Sequence, residues 1–167
     1  VDGSVTSVWD DVMVGAFSKK GDAAVSITGS AIKAQDTLDL MAITHGWRAD
    51  AAIAVVDTQL TAVDEDVRIL GKAKDDVTIA LVTTEGSEQA TAVQAGQEIE
   101  IRAFAGDDAD VAIVTYVAPD AVEPALTSFT AGGSVTATIR ADDDVRMTVE
   151  SARFEAGDTG LHADIAT

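Results

Sequence analysis

Three aspartates, Asp107, Asp108 and Asp110, stand just ahead of an alternating apolar run in "FAGDDADVAIV". Clustered carboxylates are ligands that Ca²⁺ prefers, but an EF-type loop also needs glycine at its sixth position and glutamate at its twelfth. Counted from Asp107, neither position holds the required residue. A looser calcium site that pools this turn with the acidic run 142–144 is one interpretation. We favour solvated turns that cap the following strands, because aspartate side chains bond nearby backbone in turns.

Other catalytic chemistry finds little support in the sequence. There is no cysteine, which excludes a thiolate nucleophile and a thiolate zinc site. The two histidines, His45 and His162, do not form a metal-spaced pair, and no GxSxG nucleophile elbow is present. A paired-carboxylate glycosidase site needs two facing acids, which 29 acidic residues could supply by chance. The sequence therefore predicts no catalytic residue, no bound cofactor and no enzyme activity.

Two tryptophans are candidates for an interface with another protein. Trp47 and Arg48 stand together in "HGWRAD", and both residue types are enriched among interface anchors. Trp9, in "SVWDD", is a second candidate. The alternative for each tryptophan is that it covers the end of the protein's own core.

The charge of −18 is the strongest signal in the composition. It excludes nucleic acid as a partner, because a phosphate backbone would be repelled. Such a charge also strains a compact fold through self-repulsion in dilute buffer. At about 1 M salt the screening length falls to roughly 3 Å, which removes most of that strain. We therefore favour adaptation to concentrated salt over an ordinary acidic protein with one polyanionic face.

The elements that must position these residues are strands. Apolar and polar residues alternate in "VTIALVT", "EIEIRAFA", "SVTATIRA" and "VRMTVES", and turn residues separate about ten such segments. One segment, 87–96, is compatible with either a short helix or an edge strand. No apolar stretch is long enough to cross a membrane as a helix. The pattern predicts one all-β domain over residues 1–167, an antiparallel β-sandwich or jelly roll of about eight to ten strands.

Two kinds of internal repetition bear on this prediction. An acid precedes valine in five places, at intervals of 55, 10, 34 and 34 residues, which are too irregular to indicate a solenoid. The segment "AGQEIEIRAFAGDDADVAIV" also aligns with "AGGSVTATIRADDDVRMTV", at an offset of 36 residues that closes to 34 after a deletion. We interpret this similarity as one β-hairpin used twice, as a Greek-key sandwich would supply.

An aspartate-rich chain of about ten strands that lacks cysteine and closes with "VRMTVESARFEAG" resembles a known group of proteins. These are the small major capsid proteins of membrane-containing icosahedral haloarchaeal viruses. The resemblance implies a single upright jelly roll, close to a viral membrane without inserting, that forms capsomers in the virion with itself or a larger sister subunit. It transfers no functional residue, because those proteins have no catalytic site.

Two alternative functions stay open at this point. One is a head-decoration or spike protein of a halophilic tailed virus. The other is a secreted adhesion or carbohydrate-binding module at the surface of a halophile. Aromatic residues make up only 4 % of the chain, which argues against sugar stacking and favours an assembly protein.

Overall fold

A computed structural model describes residues 4–6, 10–117, 125–157 and 160–167. These residues contain strands and turns and no helix. The strands are β1 (Ser4–Thr6), β2 (Val12–Ser18), β3 (Ala23–Thr28), β4 (Ala31–Ala34), β5 (Leu38–Thr44), β6 (Ala51–Val56), β7 (Gln59–Ala62), β8 (Val67–Lys72), β9 (Val77–Thr83), β10 (Ala92–Ala95), β11 (Ile99–Phe104), β12 (Ala109–Thr115), β13 (Thr127–Ala131), β14 (Ser134–Arg140), β15 (Val145–Glu150), β16 (Ala152–Ala156) and β17 (Gly160–Ala166). The segment 87–96 therefore ends in a strand, not in a helix.

The strands form three parallel sheets. Sheet A has the order β1-β4-β7-β10-β13-β16, sheet B has β2-β5-β8-β11-β14-β17, and sheet C has β3-β6-β9-β12-β15. Every pairing among the described strands is parallel. The chain visits the sheets in turn and so winds into a β-solenoid of stacked coils. The predicted antiparallel sandwich is wrong, and so is the jelly roll implied by the capsid resemblance.

The core fills the inside of the solenoid. In each sheet alternate side chains point inward and stack on the equivalent residue of the next coil, as Ile53, Ile79 and Val111 do in sheet C. Since the other face of each sheet meets solvent, a strand of this solenoid alternates just as a strand of a half-exposed antiparallel sheet does. Alternation therefore predicted the strands correctly without indicating which strands pair.

The interval argument against a solenoid is wrong because it joined residues from different corners. Asp66 precedes a strand of sheet B, whereas Asp76 precedes a strand of sheet C. The corners also differ in length between coils, while the strands keep their register. In the repeated segment Ile99 pairs with Val135 and Ala109 pairs with Val145, so the offset stays at 36 residues and no deletion occurs. The two segments are neighbouring coils, not two hairpins.

The corner between sheets C and A is lined by hydroxyl side chains in successive coils, with the buried residues Ser30, Thr58, Thr91 and Thr127. The Thr58 hydroxyl donates to the Val56 carbonyl at 2.8 Å, and the Thr127 N–H donates to Thr115 Oγ1 at 2.7 Å. Buried polar groups are tolerated when they are hydrogen-bonded in this way. Threonine thus closes this turn without adding charge to the interior.

Candidate functional site

The corner between sheets B and C carries one aspartate per coil, directly before each strand of sheet C. We call this row the aspartate ladder, and its members are Asp22, Asp50, Asp76, Asp108 and Asp144. From the second member onward, each backbone N–H donates to Oδ1 of the member one coil earlier, over 3.1 to 3.3 Å. The N–H of the residue after a ladder aspartate donates in the opposite direction, to the next coil. The Ala109 N–H, for example, donates to the Asp144 carbonyl at 2.9 Å. The ladder carboxylates therefore tie successive coils together.

The sequence carries a signal for the ladder that the acid-before-valine pattern does not reveal. Three of its five members precede alanine, at Asp22, Asp50 and Asp108, so a search for an acid before valine could not find them. Asp110, which does precede valine, is not a member. A search for aspartate before any small apolar residue would have returned the ladder. Aspartate suits the position because its short side chain reaches a backbone N–H close to its own turn.

A second row of acids lies one residue before the ladder, at Asp75, Asp107 and Asp143. Their carboxylate oxygens come within 4.8 Å of ladder oxygens, in the groups Asp75–Asp76–Asp107 and Asp107–Asp108–Asp143. Burial raises the pKa of Asp107, and the neighbouring aspartates raise it further, led by Asp108 and then Asp143. The corner therefore concentrates negative charge and would attract cations from solution.

The calcium candidates are only partly brought together. Asp107 and Asp108 lie in one cluster, and the pooling partner from the next turn is Asp143. Asp110 is separate, because it lies within β12 between Thr78 and Arg146. Exposed acidic groups of this kind are common without an ion, so the calcium site stays a prediction.

The outer face of sheet B holds a groove of about 440 Å³ lined by charged side chains. Arg68 Nη2 lies 2.8 Å from Asp66 Oδ2, and Arg102 forms an ion pair with Glu100. Both arginines sit two residues from their partners on the same stretch of chain, so each acid fixes its neighbour's guanidinium. The groove is therefore a mixed ionic surface whose arginines already have carboxylate partners.

Asp39 is the least satisfied group of this groove. Its Oδ1 atom is buried and has no hydrogen-bond partner in the described part of the chain. Burial raises the pKa of Asp39, and the positive charge of Arg68 partly opposes that rise. In sheet register Asp39, Arg68 and Glu100 form one row, with the arginine between the two acids. That arginine separates the two carboxylates along the row.

The interface candidates have different positions. Trp47 is 85 % exposed in the corner between sheets B and C of the second coil, with Lys74 Nζ 5.8 Å from the centre of its ring. Arg48 is exposed beside it, with a left-handed φ of 57°. Trp47 therefore does not cover the core, and a role for Trp47 and Arg48 at an interface stays a prediction. Trp9 lies outside the described residues.

The last described coil contains β16 and β17, and no described strand stacks on β15. An apolar pocket of about 210 Å³ opens there, lined by inward residues such as Met147, Phe154 and Leu161. Leu161 is 55 % exposed and Val149 is 45 % exposed, although their equivalents one coil earlier, Val135 and Ile113, are buried.

Among the described residues the aspartate ladder ends at Asp144. Among the described residues the Asp144 carboxylate receives no backbone N–H, whereas Asp108 receives that of Asp144 at 3.1 Å. The Val145 N–H likewise reaches no carbonyl, whereas its equivalent Ala109 N–H does.

Comparison with known proteins finds no matching family model, no similar curated protein and no similar solved structure. No helix in the described ranges is long and apolar enough to span a membrane.

Proposed function

We propose that this chain is a structural assembly module without catalytic activity, which joins neighbouring subunits through an apolar patch on the outer face of sheet B. One observation carries the proposal: Met13 and Phe17 are 61 % and 62 % exposed on that face, next to the half-buried Met41 and Ile43 of the neighbouring strand. Exposed apolar patches mark association sites, because proteins that stay monomeric rarely expose them.

The module is proposed to work in concentrated salt. Its net charge is −18, and the ladder corner stacks carboxylates coil upon coil. Two subunits that approach each other in dilute buffer would bring this charge together unscreened. Salt would screen the repulsion while leaving the burial of apolar side chains favourable.

The groove on sheet B is the competing candidate, and it supports a function less well. Each of its arginines is already paired with an acid two residues away. A ligand would have to replace those pairs before it gained contacts. The apolar side chains of the patch, in contrast, form no ion pairs that a partner would have to replace.

Static light scattering of the protein tests the proposal, over a concentration series from about 2 M NaCl down to dilute buffer. We expect the mass to rise with protein concentration in salt and to fall to that of a monomer in dilute buffer. Phe17→Asp, within the apolar patch, should abolish the association because it buries a charge at the contact.

Val63→Asp is the matched control. Val63 is also apolar and is 39 % exposed, but it lies at a corner of the third coil. It should associate like the wild type. A protein that is monomeric at every salt concentration, or equal dissociation by both variants, would contradict the proposal.

A further inference from the structure

We propose that the partner on the apolar patch is a second copy of this chain, packed sheet B against sheet B about a two-fold axis parallel to the solenoid axis. This inference rests on the proposed function and names the partner and its orientation. Both solenoids then run in the same direction, so each coil faces its own equivalent. The edge of sheet B next to sheet A in one copy faces the edge next to sheet C in the other.

The outward side chains of sheet B stand in three rows along the solenoid. The middle row begins with Gly15, Met41 and Leu70, which pair in sheet register. A Cβ atom on Gly15 would lie 2.7 Å from Cε2 of Phe17, so the Phe17 ring covers the glycine and reaches the middle row. A two-fold axis along this row places Met41 and Leu70 each against the same residue of the second copy. It also places Met13 against Phe17 of the second copy, a contact in which thioether and ring attract.

The corner between sheets A and B holds acids and no base in the described segments of its first three coils, 10–11, 35–37 and 63–66. These acids are Asp10, Asp11, Asp36, Asp64, Glu65 and Asp66. The carboxylates of Asp10, Asp11 and Asp36 come within 4.8 Å of one another. Burial raises the pKa of Asp36, and the nearby acids raise it further, led by Glu65. Bases brought against this corner would relieve the repulsion among its carboxylates.

The corner between sheets B and C supplies such bases in the same three coils. They are Lys19 and Lys20 in the first coil, Arg48 in the second and Lys74 in the third. The same segments contain Asp75 and three ladder aspartates, and the Oδ1 atoms of the ladder already accept backbone N–H groups of the next coil. One edge of sheet B therefore balances its acids with bases, whereas the opposite edge is acidic throughout these coils.

These charges determine the direction of the second copy. With the proposed axis, Asp10 and Asp11 of one copy face Lys19 and Lys20 of the other, and the next coil brings Asp36 to the side of Arg48. An axis parallel to the strands would reverse the order of the coils and place the acidic edge of one copy on the acidic edge of the other. Like charges that face each other across an interface are costly, so the parallel arrangement is favoured.

Charge complementarity and the apolar patch end at the same coil. In the fourth coil Glu98 would face Asp107 of the second copy, and the middle row continues with Arg102 instead of an apolar residue. The contact is therefore centred on the first three coils. At about 1 M salt the repulsion between two chains of net charge −18 is screened beyond roughly 3 Å, whereas partly buried pairs at the contact are screened much less. The dimer should accordingly form in concentrated salt.

Single-cysteine cross-linking tests the arrangement, because the chain has no cysteine of its own. Met41→Cys and Leu70→Cys, made separately, should each give a disulfide-linked dimer on mild oxidation in about 2 M NaCl. An axis parallel to the strands can pass only one of these two positions, so it would allow only one of the dimers. Thr61→Cys is the control, since Thr61 is half-buried on the outer face of sheet A in the same coil as Leu70, and it should stay monomeric on a denaturing gel.

Charge reversal tests the paired edges. Arg48→Glu should raise the Kd of the dimer about tenfold, because both copies of the contact with Asp36 become repulsive. Asp36→Arg in the same chain should restore the Kd to within about threefold of the wild type, since the pair is rebuilt with opposite signs. Lys33→Glu makes the same change of charge on the outer face of sheet A in the same coil and should alter the Kd no more than about threefold. Light scattering over a concentration series in constant salt gives each Kd.

The outcomes separate this inference from the proposed function. Association that Phe17→Asp abolishes, without cross-links at both Met41→Cys and Leu70→Cys, would overturn the parallel dimer and keep the assembly role. Failure of Asp36→Arg to restore Arg48→Glu would overturn the orientation argued from the edges. A protein that is monomeric at every salt concentration would overturn the assembly role and the dimer together.

Discussion

The aspartate ladder can be broken at its centre by Asp76→Ala. The Asp76 Oδ1 atom accepts the Asp108 N–H at 3.2 Å, so the substitution removes one link between the third and fourth coils. The backbone N–H of residue 76 is retained and can still donate to Asp50 Oδ1, at 3.3 Å. The perturbation therefore deletes a single acceptor.

The expected cost follows from the exposure of this bond. A hydrogen bond to a charged group contributes roughly 1.5–3 kcal/mol when buried, and the ladder bonds are exposed, so water partly replaces the lost acceptor. A side-chain acceptor at a helix N-cap is a close parallel, and its loss costs about 1 kcal/mol. We expect a loss of about 1 kcal/mol, which lowers the Tm of a domain of this size by about 2–4 °C.

Thermal unfolding followed by circular dichroism in about 2 M NaCl measures this cost with charge repulsion screened. Asp75→Ala is the matched control, because it removes the same charge from the adjacent residue, whose carboxylate accepts no ladder bond among the described residues. Asp76→Asn is the second control, since an amide oxygen keeps the acceptor and removes the charge. Only Asp76→Ala should be destabilised.

Equal Tm values for Asp76→Ala and Asp75→Ala would refute the structural role of the ladder. A loss in Asp76→Asn as large as that in Asp76→Ala would show that the charge matters and that the hydrogen bond does not.

Two further predictions concern the core and the acids. Phe129 is fully buried and stacks on Phe154 with ring centres 4.9 Å apart, so Phe129→Ala should cost about 3–5 kcal/mol in chemical denaturation; a cost below about 1 kcal/mol would contradict its packing. The pKa values of Asp36, Asp39 and Asp107 are raised above 3.8, first by burial. Nearby acids raise all three further, while the charge of Arg68 partly opposes the rise for Asp39, so the folded state binds these protons more tightly than the unfolded state. Stability from these groups is present below pH 3.8 and is lost as the pH rises through the raised values, so in dilute buffer the Tm should rise from about pH 6 to about pH 4, and a steady fall would contradict this.

The sequence was sufficient to predict the strands but not their partners. In "VTIALVT" the inward residues Val77, Ile79 and Leu81 are all buried as the alternation requires. Pairing depends on contacts between residues 25 to 36 positions apart, such as Ala92 with Ser128 and Thr127 with Ala152. No single segment contains that information, and variable corners hid the period.

The acidic turn was predicted from rules for a single turn, in which an aspartate side chain bonds nearby backbone. The Asp108 carboxylate instead accepts the N–H of Asp144 in the next coil, so the bond joins two coils and does not close its own turn. Sequence reasoning placed Asp107 and Asp143 in the turns of separate hairpins, whereas the solenoid stacks these turns so that their carboxylates form one cluster. The separation of Asp110 depends only on register, which local patterns do not specify.

The ladder and the net charge are two parts of one arrangement. Neighbouring coils are spaced like paired strands, about 4.8 Å apart. Two unit charges at that separation in water repel by about 0.9 kcal/mol. That repulsion is close to the contribution of about 1 kcal/mol expected from each exposed ladder bond, so in dilute buffer the two nearly cancel. With a screening length of roughly 3 Å at 1 M salt, the repulsion falls to about 0.2 kcal/mol and the hydrogen bond dominates. Asp76→Ala should therefore be close to neutral in dilute buffer and destabilised in salt, whereas Asp76→Asn should be stabilised in dilute buffer and neutral in salt. If the effects of both variants were independent of salt, the charge of −18 would have no connection with the way the coils are joined.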